Sequence, residues 1–302
     1  MATTGAGGAT TSATASASNA GGGGAGGMDG AGGVGGGGEV GGAGGVGGAG
    51  GSEAATVAQA SVSSAGGGPA VYSGTPIVFV NGQSNATAGY WASAAVYNGP
   101  DLVTWDGAKW ATAFADLGGD NVLGTGPWAG RLTRSLMKGG DTGRVQNLGW
   151  PGKAIAYFLP TSLDVAIING TLDAMNRNNY AVARAMWTDA GYEPHLIGWA
   201  QGEADGGRSK TAYHADLTAL IAAWTKDFPA LERVLLLKTA ASACGADTSG
   251  VRAAQEQVAS ENALVSLVSA DDLTGVALYH GGCHYTLSGY DLIADRMLAA
   301  LK

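Results

Sequence analysis

Pro76-Ile77-Val78-Phe79-Val80-Asn81-Gly82-Gln83-Ser84-Asn85 passes from four consecutive apolar residues, three of them β-branched, into a polar cluster through an Asn-Gly turn signal. An apolar run this short, with Gly74 before it and Asn81-Gly82 after it, reads as a strand buried on both faces. The same grammar recurs downstream. Val145 to Leu148, Pro194 to Trp199, Val234 to Leu237 and Leu264 to Val268 read as further short strands. Between them, helices are expected over about Trp128 to Met137, Leu172 to Ala190, Thr211 to Phe228, Val251 to Asn262 and Ser288 to Leu301. In the third of these, Leu217, Leu220, Ile221 and Trp224 fall three and four residues apart, as one buried helical face requires. Strands without polar alternation, separated by helices, imply a parallel sheet covered on both sides. The expected class is therefore α/β, a doubly wound three-layer α/β/α sandwich with a mainly parallel sheet.

Outward from that core the composition changes abruptly. Residues 1–70 are mostly Gly, Ala, Ser and Thr, with no aromatic residue and no Lys or Arg, while the first basic residue of the chain is Lys109. Such a segment buries too little apolar surface to offset its ordering entropy. It is expected to be a disordered tether, with residues 71–302 forming one domain, since roughly 230 residues suffice for a single core. A glycine-rich tether ahead of a globular domain often follows a cleaved signal or lipidated N-terminus on bacterial surface proteins, so a secreted or cell-surface location is expected. No signal segment is apparent after Met1. The net charge of −8 leaves no cationic arm for nucleic acid, and no apolar run is long enough to span a membrane. Cys244 and Cys283 permit one disulfide, but their spacing does not decide whether it forms. No Cys/His cluster suggests a metal, no cofactor motif is present, and nothing bears on oligomeric state.

In a doubly wound sheet, function belongs at the carboxyl ends of the strands. Three polar clusters fall there: Gly82-Gln83-Ser84-Asn85, Gly149 to Gly152, and Gln201-Gly202-Glu203. A serine between a strand and a helix start suits attack on a carbonyl, because helix-terminal N–H groups favour developing negative charge. A hydroxyl also needs a base. Of the four histidines, His195 begins a strand at the far end and His214 lies early in a helix. His280 and His284 occupy a glycine-rich loop before the last helix, from which a base can reach the first strand.

Val80-Asn81-Gly82-Gln83-Ser84-Asn85, Trp199-Ala200-Gln201-Gly202-Glu203 and Cys283-His284-Tyr285, with Gly289 and Arg296 downstream, together resemble the ordered signature blocks of the SGNH hydrolases. The branch they resemble most contains sialate O-acetylesterases and acetyl-xylan esterases. The resemblance implies Ser84 as nucleophile and His284 as general base. It implies an oxyanion hole from the Ser84 backbone N–H, the Gly152 N–H (with Gly149 as a competing alignment) and the Gln201 side-chain amide. The implied substrate is an acetylated carbohydrate, and no cofactor is required. One departure is plain: where the family has an aspartate three residues before the histidine, this chain has Gly281. Glu203, Asp271, Asp272 or a backbone carbonyl then becomes the alternative for orienting His284, and Glu203 is equally suited to anchor its turn or contact sugar hydroxyls.

Two other readings stay open. A lipase-like or thioesterase-like member of the same family would prefer longer acyl chains. A noncatalytic carbohydrate-binding surface domain would account for Gly281, though not for an intact Ser84, His284 and Gln201. Tyr90, Trp91, Trp105, Trp110 and Trp150 lie near the expected active face, where rings stack on sugars or simply pack in the core.

Overall fold

Ile77 and Phe79 project to one side of their strand and Val78 and Val80 to the other, and each side meets its own apolar cluster. That is why the run shows no polar alternation: both faces of the sheet are interior. The computed structural model describes residues 75–87, 101–105, 109–112, 125–168, 170–275, 279–280 and 282–302, with the side chains of 110–112 and 280 excepted. The tether expected over residues 1–70 lies outside them.

In chain order the elements are β1 (Ile77–Gly82), α1 (Ser84–Thr87), β2 (Leu102–Trp105), β3 (Trp110–Thr112), α2 (Ala129–Leu136) and β4 (Gly143–Asn147). Then come β5 (Ile167–Ile168), β6 (Thr171–Leu172), α3 (Asn179–Ala190), β7 (Leu196–Ala200), α4 (Lys210–Asp227) and β8 (Arg233–Leu237). The chain finishes with α5 (Ser249–Glu261), β9 (Val265–Val268), β10 (Tyr279–His280), β11 (His284–Tyr285) and α6 (Leu287–Ala299). The main sheet runs β3-β2-β4-β1-β7-β8-β9, with β3 antiparallel at one edge and the other six strands parallel.

Trp187 of α3, Leu217 and Trp224 of α4 and Val258 of α5 cover the face bearing Phe79, Trp199 and Leu236. Leu132 of α2 with Ile293 and Met297 of α6 cover the face bearing Val78, Val80 and Leu235. Burying each such side chain contributes about 1.5–3 kcal/mol. The expected three-layer α/β/α architecture is the one found. The expected helix over Leu172 to Ala190 is shorter than its pattern suggested. Its first residues are the strand β6 and a turn in which Asn176 takes a left-handed conformation, φ 55°, and the helix starts where Asn178 accepts from the Ala181 N–H at 2.9 Å.

The register matters most for function. Val80 pairs with Asn147 of β4, and Gly82 pairs with Ala200 of β7. The chain leaves β1 for one flank (β2, β4) and then crosses to the other (β7, β8, β9), so the strand order reverses at β1. The carboxyl end of β1 is thus the switch point at which such sheets open a crevice. Among the described residues no helix is long and apolar enough to cross a membrane.

Candidate active site

Gly82 closes β1 at φ 128°, and a Cβ there would stand 2.2 Å from the Ala200 carbonyl oxygen. Only glycine fits, because the left-handed conformation and the close approach of β7 each exclude a side chain. The next N–H, of Gln83, donates to that same carbonyl at 2.9 Å. The chain then turns directly into α1, whose first residue is the buried Ser84. The turn after β4 is laced to this one. Asn147 Nδ2 donates to the Ala86 carbonyl at 2.9 Å, its Oδ1 accepts from Gly149 N–H at 3.0 Å, and Trp150 N–H donates to the Gly82 carbonyl at 2.8 Å. The Gly149 N–H is therefore engaged. Gly152, three residues on, is exposed with open space where a Cβ would stand.

The turn after β7 is held from within. Gly202 takes φ 151° with a would-be Cβ 2.1 Å from Thr239 Oγ1. Gln83 Oε1 accepts from Ala204 N–H at 3.0 Å and from Gln201 Nε2 at 3.2 Å. Gln201 Nε2 also faces the Lys153 carbonyl at 3.2 Å and Asp205 Oδ2 at 2.5 Å, while its Oε1 accepts from the Tyr213 hydroxyl at 2.8 Å. Burial holds that hydroxyl protonated, well above the ordinary tyrosine range. The amide expected to face substrate is thus 1% exposed, its two hydrogens shared among three internal acceptors. Its grip on Lys153 fixes the loop that carries Gly152. Asp205 completes the arrangement by accepting from Ile155 N–H at 2.7 Å and from Arg208 at 2.9 Å. Sequence reasoning missed Asp205; its one signal is an acid two positions after Glu203.

Asn85, immediately after Ser84, joins the three blocks. Its Nδ2 donates to Glu203 Oε1 at 2.6 Å and to the Cys283 carbonyl at 3.1 Å, one residue before His284. Its Oδ1 accepts from the Tyr290 hydroxyl at 2.9 Å, and its carbonyl accepts from Trp128 Nε1 at 2.9 Å. The strand β11 carrying His284 packs against α1. Ser84, Glu203 and His284 are thereby gathered at one corner, with His284 half-buried.

The other expected residues fall elsewhere. Asp271 lies against Arg252 (2.7 and 3.0 Å) and Lys238 (3.1 Å), and these cations hold its carboxyl far below the usual range. Asp272 is gripped by the Arg296 fork at 2.7 Å on each oxygen, which lowers its carboxyl pKa. His195 stands at the amino edge of the sheet, where its N–H donates to the Ile77 carbonyl, and His214 of α4 meets Glu261 at 2.8 Å. Trp105 is buried, whereas Trp150 stays beside Gly82 at the site, half-buried against the core. Tyr90, Trp91, the Trp110 and His280 side chains, and Gly281 lie outside the described residues. Cys244 and Cys283, left open by their spacing, are joined in a disulfide with Cα atoms 4.4 Å apart.

Glu203 is a buried carboxyl at this corner, 8% exposed, with Oε2 buried and without a hydrogen bond among the described residues. Burial raises its pKa; the Asn85 donation opposes this more weakly, and nearby Asp205 adds to it. A raised folded pKa means that the native state binds this proton more tightly than the unfolded chain. The stability Glu203 confers is therefore full in acid and lost as pH rises through the folded pKa. Glu203→Gln removes that dependence. The parent is expected to lose unfolding free energy relative to the variant as pH is raised from 4 to 8 in denaturant titrations, whereas parallel curves would show that the carboxyl ionises there without penalty.

No family model matches the sequence, and no curated protein matches it. Solved structures do. A protein from Arabidopsis thaliana superposes with a TM-score of 0.57 at 16% identity, covering 76% of this chain and 98% of that one. A carbohydrate acetylesterase from Xanthomonas citri superposes with a TM-score of 0.50 at 15% identity, covering 74% of this chain and 55% of the other. This chain thus spans about half of the bacterial enzyme. The chain shares the α/β/α fold of these two proteins, one of them a carbohydrate acetylesterase, as the order of its sequence blocks led one to expect.

Proposed function

We propose that the protein is a serine esterase that removes O-acetyl groups from a carbohydrate, with Ser84 as nucleophile and His284 as base. The observation that carries this reading is the Asn85 junction, where one amide draws together the residue after Ser84, the Glu203 turn and the residue before His284. Three blocks far apart in sequence converge at the switch point of a fold in which a carbohydrate acetylesterase is also built.

In the proposed reaction, His284 takes the Ser84 proton as Oγ attacks the acetyl carbonyl. The Ser84 and Gly152 backbone N–H groups receive the developing oxyanion, an interaction worth about 3–4 kcal/mol per donor. Gln201 serves the same hole through Lys153, by fixing the loop on which Gly152 sits. The tetrahedral intermediate collapses, the sugar oxygen leaves with the proton from His284, and water hydrolyses the acetyl-serine by the reverse proton path. Glu203, paired with Asn85, supports the corner from beneath. The half-buried Trp150 beside Gly82 offers an aromatic surface to a sugar ring.

The test is hydrolysis of 4-nitrophenyl acetate, butyrate and octanoate. Acetate is expected to exceed octanoate by about a hundredfold or more in kcat/KM, because a site that closes on a methyl group cannot seat a long chain. Rising activity with chain length would move the assignment to a lipase-like enzyme, and no turnover of any ester would move it to carbohydrate binding alone.

A further inference from the structure

The loop that bears His284 has little secondary structure of its own. Strands β10 and β11 pair through only Tyr279↔Tyr285 and His280↔His284, and a hairpin this short does not hold itself together in water. Its fixation comes from outside. On the carboxyl side, the buried Tyr285 ring packs against Tyr290 of α6, with centroids 5.8 Å apart. On the amino side, Cys283 is joined to Cys244. The bond is reinforced by Cys244 N–H donating to the Gly282 carbonyl at 2.6 Å and by Asn85 donating to the Cys283 carbonyl at 3.1 Å. His284 is bracketed between a covalent anchor and a buried ring. Cys244, at the far end of that anchor, sits exposed in a short turn, Ala243–Gly245.

We infer that the Cys244–Cys283 disulfide is the positioning device for His284 in a chain that carries Gly281 where an orienting aspartate is expected, and that reducing it switches the site to a low-turnover state. This rests on His284 being the base of the proposed esterase. The exposed bond is open to thiol–disulfide exchange with a dithiol reductant. One thiolate attacks a cysteine sulfur and expels the other as thiolate. The second thiol of the reductant then resolves the mixed disulfide, leaving two protein thiols and one oxidised reductant. Reoxidation by a disulfide reverses the balance. The hairpin is then kept only by hydrogen bonds and the packing of the Tyr285 ring, and a base free to wander by an ångström loses about a hundredfold in rate.

The experiment compares the full chain, oxidised and after dithiothreitol, with a Cys244→Ser/Cys283→Ser double variant, using 4-nitrophenyl acetate. Reduction is expected to lower kcat by tenfold or more, on the order expected for a misplaced base, with KM changed less than about twofold. The double variant should match the reduced chain and be indifferent to the reductant. Amide hydrogen exchange over residues 279–285 should be at least tenfold faster in both, while the β1, β7 and β8 amides keep their protection. Equal kcat with and without the disulfide, in an active parent, would overturn the proposal and leave the esterase intact. If the parent is inactive, the esterase reading fails and hydrogen exchange alone decides: unchanged exchange over 279–285 on reduction would overturn the positioning role as well.

Discussion

Ser84→Ala is expected to abolish turnover of 4-nitrophenyl acetate, with kcat falling by about 10⁴–10⁶-fold toward the residual rate that binding and oxyanion donors alone supply. The change removes a single oxygen from a buried side chain and keeps the backbone N–H, so the unfolding midpoint should move by less than about 2 °C. Loss of activity with an unchanged melting curve separates the nucleophile from a merely structural serine. His284→Ala should fall to a similar floor, and the double variant no further, because nucleophile and base act as one unit. Additive losses, or a Ser84→Ala variant within tenfold of the parent, would reassign the nucleophile.

Trp128→Ala is expected to be the most destabilising single truncation near the site, by about 3–5 kcal/mol. Trp128 is fully buried, and its ring lies against Gly198 of β7, where a Cβ would meet it at 2.3 Å. Gly198 has no side chain with which to fill the void. The indole N–H also supports the Asn85 carbonyl at 2.9 Å, leaving a buried acceptor without its donor when it is lost. For a domain of this size the midpoint should drop by about 6–20 °C. Trp128→Phe, which keeps most of the ring and loses the donor, should cost nearer 1–3 kcal/mol. Equal costs for both variants in chemical denaturation would mean that the hydrogen bond, not the packing, carries the stability.

Ile77 to Val80 reads correctly from sequence because both faces of β1 are interior, so strand and burial give the same signal. The proximity of the Ser84 and His284 segments is legible for a related reason: each follows a glycine-bearing segment of a loop, and the two meet at Asn85. The strand β2, which lies between β4 and the edge strand β3, is not legible, since Leu102 to Trp105 pairs with β4 through only two positions and carries no turn signal that distinguishes it from a loop. The network behind the site is hidden for a deeper reason. Gln83, Asn85, Gln201 and Asp205 are ordinary polar residues whose roles arise from hydrogen bonds across the fold, and no local period marks such partners. Gln201 illustrates this, because its type and position suggest a group facing substrate, whereas its acceptors all lie inside. The Cys244–Cys283 pair likewise becomes a bridge only once two residues 39 positions apart in the chain are folded back on each other.

Asn85 has one more consequence, for the timing of assembly. Its side chain meets Glu203, Cys283 and Tyr290 at sequence separations of 118, 198 and 205. On the ribosome, β1 and α1 are made early, yet their amide lacks its last partner until α6 has emerged. Contacts this distant form only after large loops have closed. A nascent or C-terminally truncated chain can therefore build much of the sheet while the corner around Asn85 stays open, so that the candidate site is completed as the final event of folding.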